Sequence, residues 1–470
     1  MLLPSELLTL PVDLNVLAGL AGLAAVGAVF SHDHADGQVD TADKTKRISE
    51  LEKTSPRTLE QNEELSDLYI NLASNGGDDD ENIDNVIELY NKAEAVLKAT
   101  LAQGDDAELR RKLGNVYLNR AVVYNDFDNL EEAEKSYLQA IDVFKPLDTA
   151  GDGEATYDLA GVELDLGVVY RENGDFEKAK GLLEDAFLLY RKIEKIGLLD
   201  TRYYMAKTSV QQGNVLFEME EPLDKITDAY NRAMRLFVEV IEDEQRLEIE
   251  CDLANTLLDR CTAVYHDILL REFDSETERN NKIGDVLIDV SRGIDLLEKQ
   301  FNAGNEEARP DLFNALAMQA NILVEIEKFD EGRKILDRVI SEFADYSDPE
   351  NIHLASEYAG VYETRANCCL QSGNSSAAIA DMDKVIGIQQ SLADIAKKSE
   401  PDNLVLVVPT LAAAIATRAT MKAALNDTDA ARKELQQALD LLETVPANAE
   451  NSEIFDDIKA QILEFRDSLK

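Results

Sequence analysis

Residues 121–140 read AVVYNDFDNLEEAEKSYLQA, and residues 167–186 read GVVYRENGDFEKAKGLLEDA. In the first stretch Ala121, Tyr124, Ala133, Tyr137 and Ala140 alternate small with bulky side chains. Gly167, Tyr170, Gly174, Phe176, Ala179, Leu183 and Ala186 do the same in the second. From Ala121 to Gly167 is 46 residues, and the same step leads on to Gly213. A fixed period of a few tens of residues marks stacked supersecondary units rather than one globule.

Within a copy, Ala133, Tyr137 and Ala140 are spaced i, i+4, i+7, which is one face of an α-helix. Ala121 lies on a preceding helix, across a turn at Asp126-Phe127-Asp128-Asn129. Small residues at both positions let two helix backbones approach closely enough for Tyr124 and Tyr137 to interleave. Each unit is a helical hairpin whose apolar face its neighbours must cover. Further copies run in phase. Ala320, Leu323, Phe329, Gly332, Leu336 and Val339 make one, and Ala366, Cys369, Gly373, Ala378, Met382 and Val385 the next. Ala419, Ala431, Leu435 and Ala438 make the last. The copy with Gly213, Leu216, Tyr230 and Ala233 fits if its turn at Glu221-Pro222 carries one extra residue. Residues 252–300 hold a degraded copy (Cys261, Val264, Val286, Val290, Gly293), interrupted by the charged stretch Arg271 to Lys282. Residues 58–98 hold another, with an enlarged turn over 75–80.

This pattern resembles the tetratricopeptide repeat over most of residues 58–445. The resemblance implies an all-α, right-handed solenoid of about seven or eight hairpins, with a separate hydrophobic segment before it. The domain division expected is residues 1–57 for that segment and its polar linker, and 58–470 for one elongated solenoid.

The composition suits this fold. Apolar residues make up 45% of the chain, enough for a core, and only 10 of 470 residues are proline, including Pro146, Pro222, Pro310 and Pro446 near expected helix ends. Against 47 lysines and arginines stand 93 aspartates and glutamates, a formal charge of −46. That argues against nucleic acid, whose phosphates are bound by lysine and arginine, and against anionic lipid surfaces. It is consistent with a basic partner or with a solvated outer face that keeps a long solenoid soluble, in a salty milieu for example. Cys251, Cys261, Cys368 and Cys369 form no disulfide framework. Cys369 stands where other copies have Tyr or Leu, a core position; the adjacent Cys368 leaves a redox pair as the alternative.

Leu14 to Phe30 is an uncharged apolar run with no basic residue before Lys44. It lacks the basic start of a signal peptide, and its length is the lower limit for a transmembrane helix. Three readings follow: a membrane anchor, a helix capping the first repeat, and an oligomerising tail. If it spans, Lys44, Lys46 and Arg47 keep the repeats in the cytoplasm; otherwise the chain is read as cytoplasmic.

Little here suggests chemistry. His32, Asp33, His34 and Asp36 could ligate a divalent metal but read more simply as a solvated linker. His266 and His353 stand alone in helical stretches. Asp148-Thr149-Ala150-Gly151-Asp152-Gly153 begins like a calcium loop, but Ala150 and Leu159 occupy ligand positions, so a turn between repeats is expected. Gly19, Gly22 and Gly27 match no phosphate loop or dinucleotide fingerprint. No enzyme, cofactor or metal is expected.

The family resemblance implies that the first helix of each hairpin lines a concave groove for a peptide or protein. It also implies that the residue after the first small residue points into that groove. That residue is Asn214, Asn321 and Asn367 in three copies, and Val122, Val168 and Thr420 in others. Asn119, Asp165, Glu163 and Glu363 lie nearby on the same helices. These seven residues, Asn119, Glu163, Asp165, Asn214, Asn321, Glu363 and Asn367, are the candidate peptide-binding set. Asparagine both donates and accepts, so such a ladder can hold an extended backbone; the alternative is local bonding within the array. The family's clamp for chaperone C-termini needs several basic residues, and only Lys207 is basic here. The expected function is a protein–protein interaction scaffold with a protein or peptide partner. The alternatives are a peptide-responsive regulator and an accessory subunit of a membrane-associated complex.

The repeat register makes a direct prediction. Ala133→Leu and Ala179→Leu should each overpack a helix crossing and cost about 1–3 kcal/mol. Thermal unfolding measures this, and an unmoved transition in both variants refutes the register.

Overall fold

The structure, a computed structural model, describes residues 41–75, 83–195, 201–244, 246–273, 275–399, 404–445 and 452–469. Leu14 to Phe30, and the candidate ligands His32, Asp33, His34 and Asp36, lie outside them. The described residues form α-helices and short 3₁₀ turns, with no strand among them. None of the described helices is long and apolar enough to cross a membrane.

The chain divides into two compact units between Leu270 and Arg271, where one elongated domain was expected. The boundary falls inside the degraded copy. There the crossing residue is the buried Cys261, 48 residues after Gly213, and Arg260, just before it, reaches Asn231 (2.9 Å) as Arg120 reaches Asn91.

The first unit opens with α1 (Thr41–Lys53), followed by α2 (Leu59–Ser74) and α3 (Ile83–Leu101). Then come α4 (Ala107–Asp126), α5 (Leu130–Thr149), α6 (Gly153–Glu172) and α7 (Phe176–Glu194). It closes with α8 (Thr201–Glu218), α9 (Leu223–Glu244) and α10 (Glu250–Leu270). The helix α1 lies in the stretch expected to be linker; it packs on α2 and buries Ile48 and Leu51. The second unit holds α11 (Glu276–Asn302), α12 (Ala308–Glu325), α13 (Phe329–Glu342) and α14 (Ile352–Gln371). It continues with α15 (Ser375–Ser399), α16 (Leu404–Ala424), α17 (Thr428–Leu442) and α18 (Ser452–Ser468). Seven antiparallel hairpins result: α2–α3, α4–α5, α6–α7 and α8–α9 in the first unit, α12–α13, α14–α15 and α16–α17 in the second.

The small residues sit at the crossings, as the pattern requires. Ala121, Ala133, Ala179, Ala320, Ala366, Ala378, Ala419 and Ala431 are fully buried. A Cβ on Gly213 would stand 2.6 Å from the Tyr230 ring, and one on Gly167 3.0 Å from Leu183. A side chain at 213 would force the Tyr230 ring to move, and one at 167 would need Leu183 to give by a few tenths of an ångström. The aromatic residues Phe144, Tyr190 and Phe237 fill the space behind the crossings, each buried to within 1%. Burying one such side chain is worth about 1.5–3 kcal/mol.

The turn of six hairpins closes in one way. After the first helix a residue takes the left-handed conformation: Asp128 (φ 55°), Gly174 (76°), Glu220 (53°), Glu327 (61°), Gly373 (75°) and Asn426 (66°). The next amide then reaches back to the last turn: Asn129 N–H to Tyr124 O (2.8 Å), Asp175 to Tyr170 (2.8 Å) and Glu221 to Leu216 (3.0 Å). The same bond joins Lys328 to Leu323, Asn374 to Cys369 and Asp427 to Lys422. This is the Schellman closure, which satisfies helix carbonyls that otherwise lack partners. The α8–α9 connection, residues 219–222, is one residue longer than the three-residue connections 127–129 and 173–175. This is the insertion expected at Glu221-Pro222.

Neighbouring hairpins are stitched by arginines placed just before the crossing residue. Arg365 holds Asp381 of its own hairpin through two bonds (2.6 and 3.0 Å) and Asp337 of the preceding one (2.9 Å). Arg418 likewise grips Glu434 (2.7 Å) and Asp383 (2.6 Å). Arg120 reaches Ser136 (3.3 Å) and, on the preceding hairpin, Asn91 and Glu94 (both 2.7 Å). The guanidinium fork suits this bridging because its donors diverge in fixed directions.

No disulfide joins the four cysteines, and Cys261, Cys368 and Cys369 are buried. Burial pushes the Cys368 thiol up to about 11, which suits packing and not reactivity. The segment 148–153 is a turn between repeats: the Asp152 carboxylate caps α6 by accepting from the amides of Glu154 and Ala155.

The turn chemistry is testable. Glutamate pays a steric penalty in the left-handed region that glycine does not, and glycine occupies the same place at 174 and 373. Glu220→Gly and Glu327→Gly should each raise stability by about 0.5–1 kcal/mol in denaturant titrations. Loss of stability in both would refute the closure.

Candidate binding face of the inner helices

In the first unit α4, α6, α8 and α10 each touch the next member of that series, as α12 touches α14 in the second. Within each unit the first helices of the hairpins therefore make an inner layer, and in the first unit their outward residues share one face. Three columns on that face follow the 46-residue period.

The column two residues before the crossing holds Asn119, Asp165 and Gln211. Asn119 lies beside the Tyr90 hydroxyl, which hydrogen-bonds Ser74 Oγ (3.3 Å). Asp165 is half-buried, and burial pushes its carboxyl up to about 7; Lys207 opposes the shift and Asp126 adds to it. Buried Gln211 Oε1 lacks a hydrogen-bond partner. The column five residues after the crossing holds Asp126, Glu172 and Glu218, and burial raises all three carboxyls. Arg171 lies between the last two, 3.7 Å from Glu172 and 3.2 Å from Glu218. The third column, nine before the crossing, includes Asp158 and Tyr204. Burial pushes Asp158 up to about 6 against the pull of Arg111, with Asp152 adding to the rise.

The asparagines are tied into the array. Asn214 accepts from the Tyr230 hydroxyl (2.7 Å), Asn321 from the Thr364 hydroxyl (3.0 Å) and Asn367 from Gln371 (3.4 Å). Each uses its side-chain carbonyl within the protein, so the part of the amide that remains for a partner is the donor. Asn119, Asp165 and Asn214 lie in the first unit, Asn321, Glu363 and Asn367 in the second. Glu363 is half-buried, its carboxyl raised by burial.

Glu163 stands apart. Two residues before Asp165, it is turned by about 200° around α6. It faces Lys145 and Asp148 of α5 and Asp185 of α7, between the outer helices. It is 2% exposed, its Oε1 is 3.9 Å from Lys145 Nζ and its Oε2 has no hydrogen-bond partner. Burial pushes its carboxyl up to about 7.

Asp126, Glu172, Glu218 and Asp158 were not among the residues expected from sequence. The signal for the first three was present: the same period that marks the crossings marks them. The small residues mask it because they dominate the pattern. No group of three or more acidic, histidine or cysteine ligands suited to a metal occurs among the described residues.

Two segments match family models described as tetratricopeptide repeat, residues 114–145 and 164–195. They coincide with hairpin α4–α5 and with α6–α7. The chain is a tetratricopeptide repeat protein. Among solved structures it is similar to BtubC from P. vanneervenii at 16% identity, over 56% of this chain and 91% of that one (TM-score 0.38). A tetratricopeptide repeat protein from Parabacteroides merdae is also 16% identical, over 74% and 98% (TM-score 0.36). The apo quorum sensor NprR from B. thuringiensis is 9% identical, over 85% and 99% (TM-score 0.40). No curated protein matches the chain.

Glu163 predicts a pH dependence within this repeat array. Its folded pKa lies above the unfolded value of about 4.3, so the folded state holds more protons between the two. Its contribution to stability is complete below pH 4 and is lost as pH rises through about 7. Glu163→Gln should therefore gain roughly 1–3 kcal/mol more at pH 8 than at pH 5, where only the first part of the loss has occurred. Chemical denaturation at both values measures this, and an equal effect at both refutes it.

Proposed function

We propose that this tetratricopeptide repeat protein is an interaction scaffold that holds a basic peptide or protein segment against its inner helices. The observation that carries the reading is the column Asp126, Glu172 and Glu218, joined by Asp165, on one face of α4, α6 and α8. Burial raises each of these carboxyls, so each gains from a cation brought close to it. The asparagine donors beside them suit the carbonyls of an extended backbone. The overall charge of −46 adds long-range attraction, which accelerates association at low salt.

The full chain used as bait in a lysate of its own host should capture a basic partner. A charge-neutral variant, Asp126→Asn/Asp165→Asn/Glu172→Gln/Glu218→Gln, should bind that partner at least tenfold more weakly, a loss of about 1.4 kcal/mol or more. Binding by the wild type should weaken as salt rises. A partner that holds the variant equally well, with no salt dependence, refutes the inner-face reading.

A further inference from the structure

One aromatic residue of the first unit breaks the pattern of its column. Four residues after the last small or β-branched position, three hairpins carry Leu97, Gln389 and Leu442, and the other four carry rings, Phe144, Tyr190, Phe237 and Phe343. These four rings are buried to within 2%. Tyr190 alone adds a hydroxyl, and that hydroxyl has no hydrogen-bond partner. A buried, unpartnered hydroxyl costs stability, and phenylalanine fills this place elsewhere without that cost. By contrast, the buried Tyr230 donates to Asn214 (2.7 Å) and the Tyr90 hydroxyl bonds Ser74 (3.3 Å).

What surrounds the Tyr190 hydroxyl is the inner face itself. The groups whose charges act on it are Tyr157, Asp158 and Asp165 of α6 and Tyr204 of α8. The Tyr190 ring stacks on Tyr204 (centroids 5.6 Å apart, 15° between planes), and Tyr157 meets both edge-on at 5.7 Å. Tyr157, Tyr204, Asp158 and Asp165 are half-buried, so the cluster reaches the surface while the hydroxyl lies beneath it. Asp158 and Asp165 are seven residues apart on α6. Two helical turns place them on one face with a rise of about 10 Å, bracketing the rings. Rings flanked by carboxylates suit a cation and repel an anion.

We propose that Tyr157, Tyr190 and Tyr204, with Asp158 and Asp165, form an anchor site for one cationic side chain, lysine or arginine, of the bound segment. The ring faces and the two carboxylates hold its charge, and the Tyr190 hydroxyl oxygen accepts one of its N–H groups. This assignment rests on the inner-face reading above and names its specificity site. The other charged and titratable groups facing the cluster are Arg111 and Asp126 of α4, Tyr137 of α5, Asp152 before α6, and Tyr203 and Lys207 of α8. Lys207 lies over the Tyr203 ring at 5.5 Å. Burial places Asp158 at about 6 and Asp165 at about 7, so acidification below neutral removes negative charge from the site and weakens a cation there.

The test titrates the full chain with N-acetyl-arginine amide, N-acetyl-lysine amide and the neutral N-acetyl-norleucine amide, following assigned tyrosine ring signals by NMR. Saturable shifts at Tyr157, Tyr190 and Tyr204 are expected with either cation, and none with norleucine. The affinity should fall about tenfold from pH 8 to pH 5.5, and Asp165→Asn should show a similar loss at pH 8 with most of the pH dependence gone. Tyr190→Phe preserves the packing: it should melt higher than the wild type and bind the cation several-fold more weakly. Unmoved rings, equal shifts with norleucine, or a Tyr190→Phe protein that binds as tightly as wild type overturns the anchor. Any of these results, obtained while the host partner still distinguishes wild type from the charge-neutral variant, removes the anchor and leaves the scaffold reading standing.

Discussion

Everything else in this chain depends on how closely two helix backbones can approach inside each hairpin. Gly213 against Tyr230 leaves no room for a methyl group unless the ring moves, Gly167 against Leu183 is nearly as tight, and the alanine crossings are fully buried. That contact sets where the bulky residues of the second helix fall and therefore which hairpin face is left for a neighbour to cover. Where the step lengthens, to 48 residues from Gly213 to Cys261, the repeat pattern erodes, and the division between the two units falls in the same copy.

Around this crossing the same few devices recur. A left-handed residue and one back-reaching amide turn the chain, whether the residue is Gly174, Asp128, Glu220 or Asn426. The fit at that position is better for glycine, yet the closure tolerates an aspartate or glutamate because the hydrogen bonds and the helix packing on both sides over-determine it. Arginines ahead of the crossing then link each hairpin to the one before, converting part of the excess acid into structure: Arg365 and Arg418 each bind carboxylates of two hairpins at once. Such bridges make each interface specific as well as cohesive, because a hairpin without the matching carboxylate leaves a half-buried guanidinium unpaired.

The inner face is where the chain departs from a minimal-energy solution. Carboxyls on α6 are placed where burial disfavours their charge, on both sides of the helix: Asp158 and Asp165 toward the inner face, Glu163 toward the outer helices. The Tyr190 hydroxyl adds an unsatisfied group at a position that phenylalanine fills in three other hairpins. Structural requirements alone do not account for these residues, and perturbed groups that gather on one accessible face are the usual mark of a binding surface.

The helical hairpins, their crossings and the longer turn at Glu221-Pro222 were legible because each is a local rule repeated at one period, and repetition averages out exceptions. The acidic column Asp126, Glu172 and Glu218 was equally periodic and legible in principle. The separation of Glu163 from Asp165 followed from helix geometry alone, since two residues carry a side chain to the opposite face. What the order of residues could not disclose depends on atoms far apart in the chain. The Asn214 amide is engaged by Tyr230 of the next helix, α1 is docked on α2, and the Tyr190 hydroxyl finds no partner among three helices. By itself the sequence determined the repeat, because local spacing dictates which faces are apolar. Only the tertiary structure decided which polar groups are satisfied and which carboxyls resist ionisation, because both depend on the burial that stacking creates.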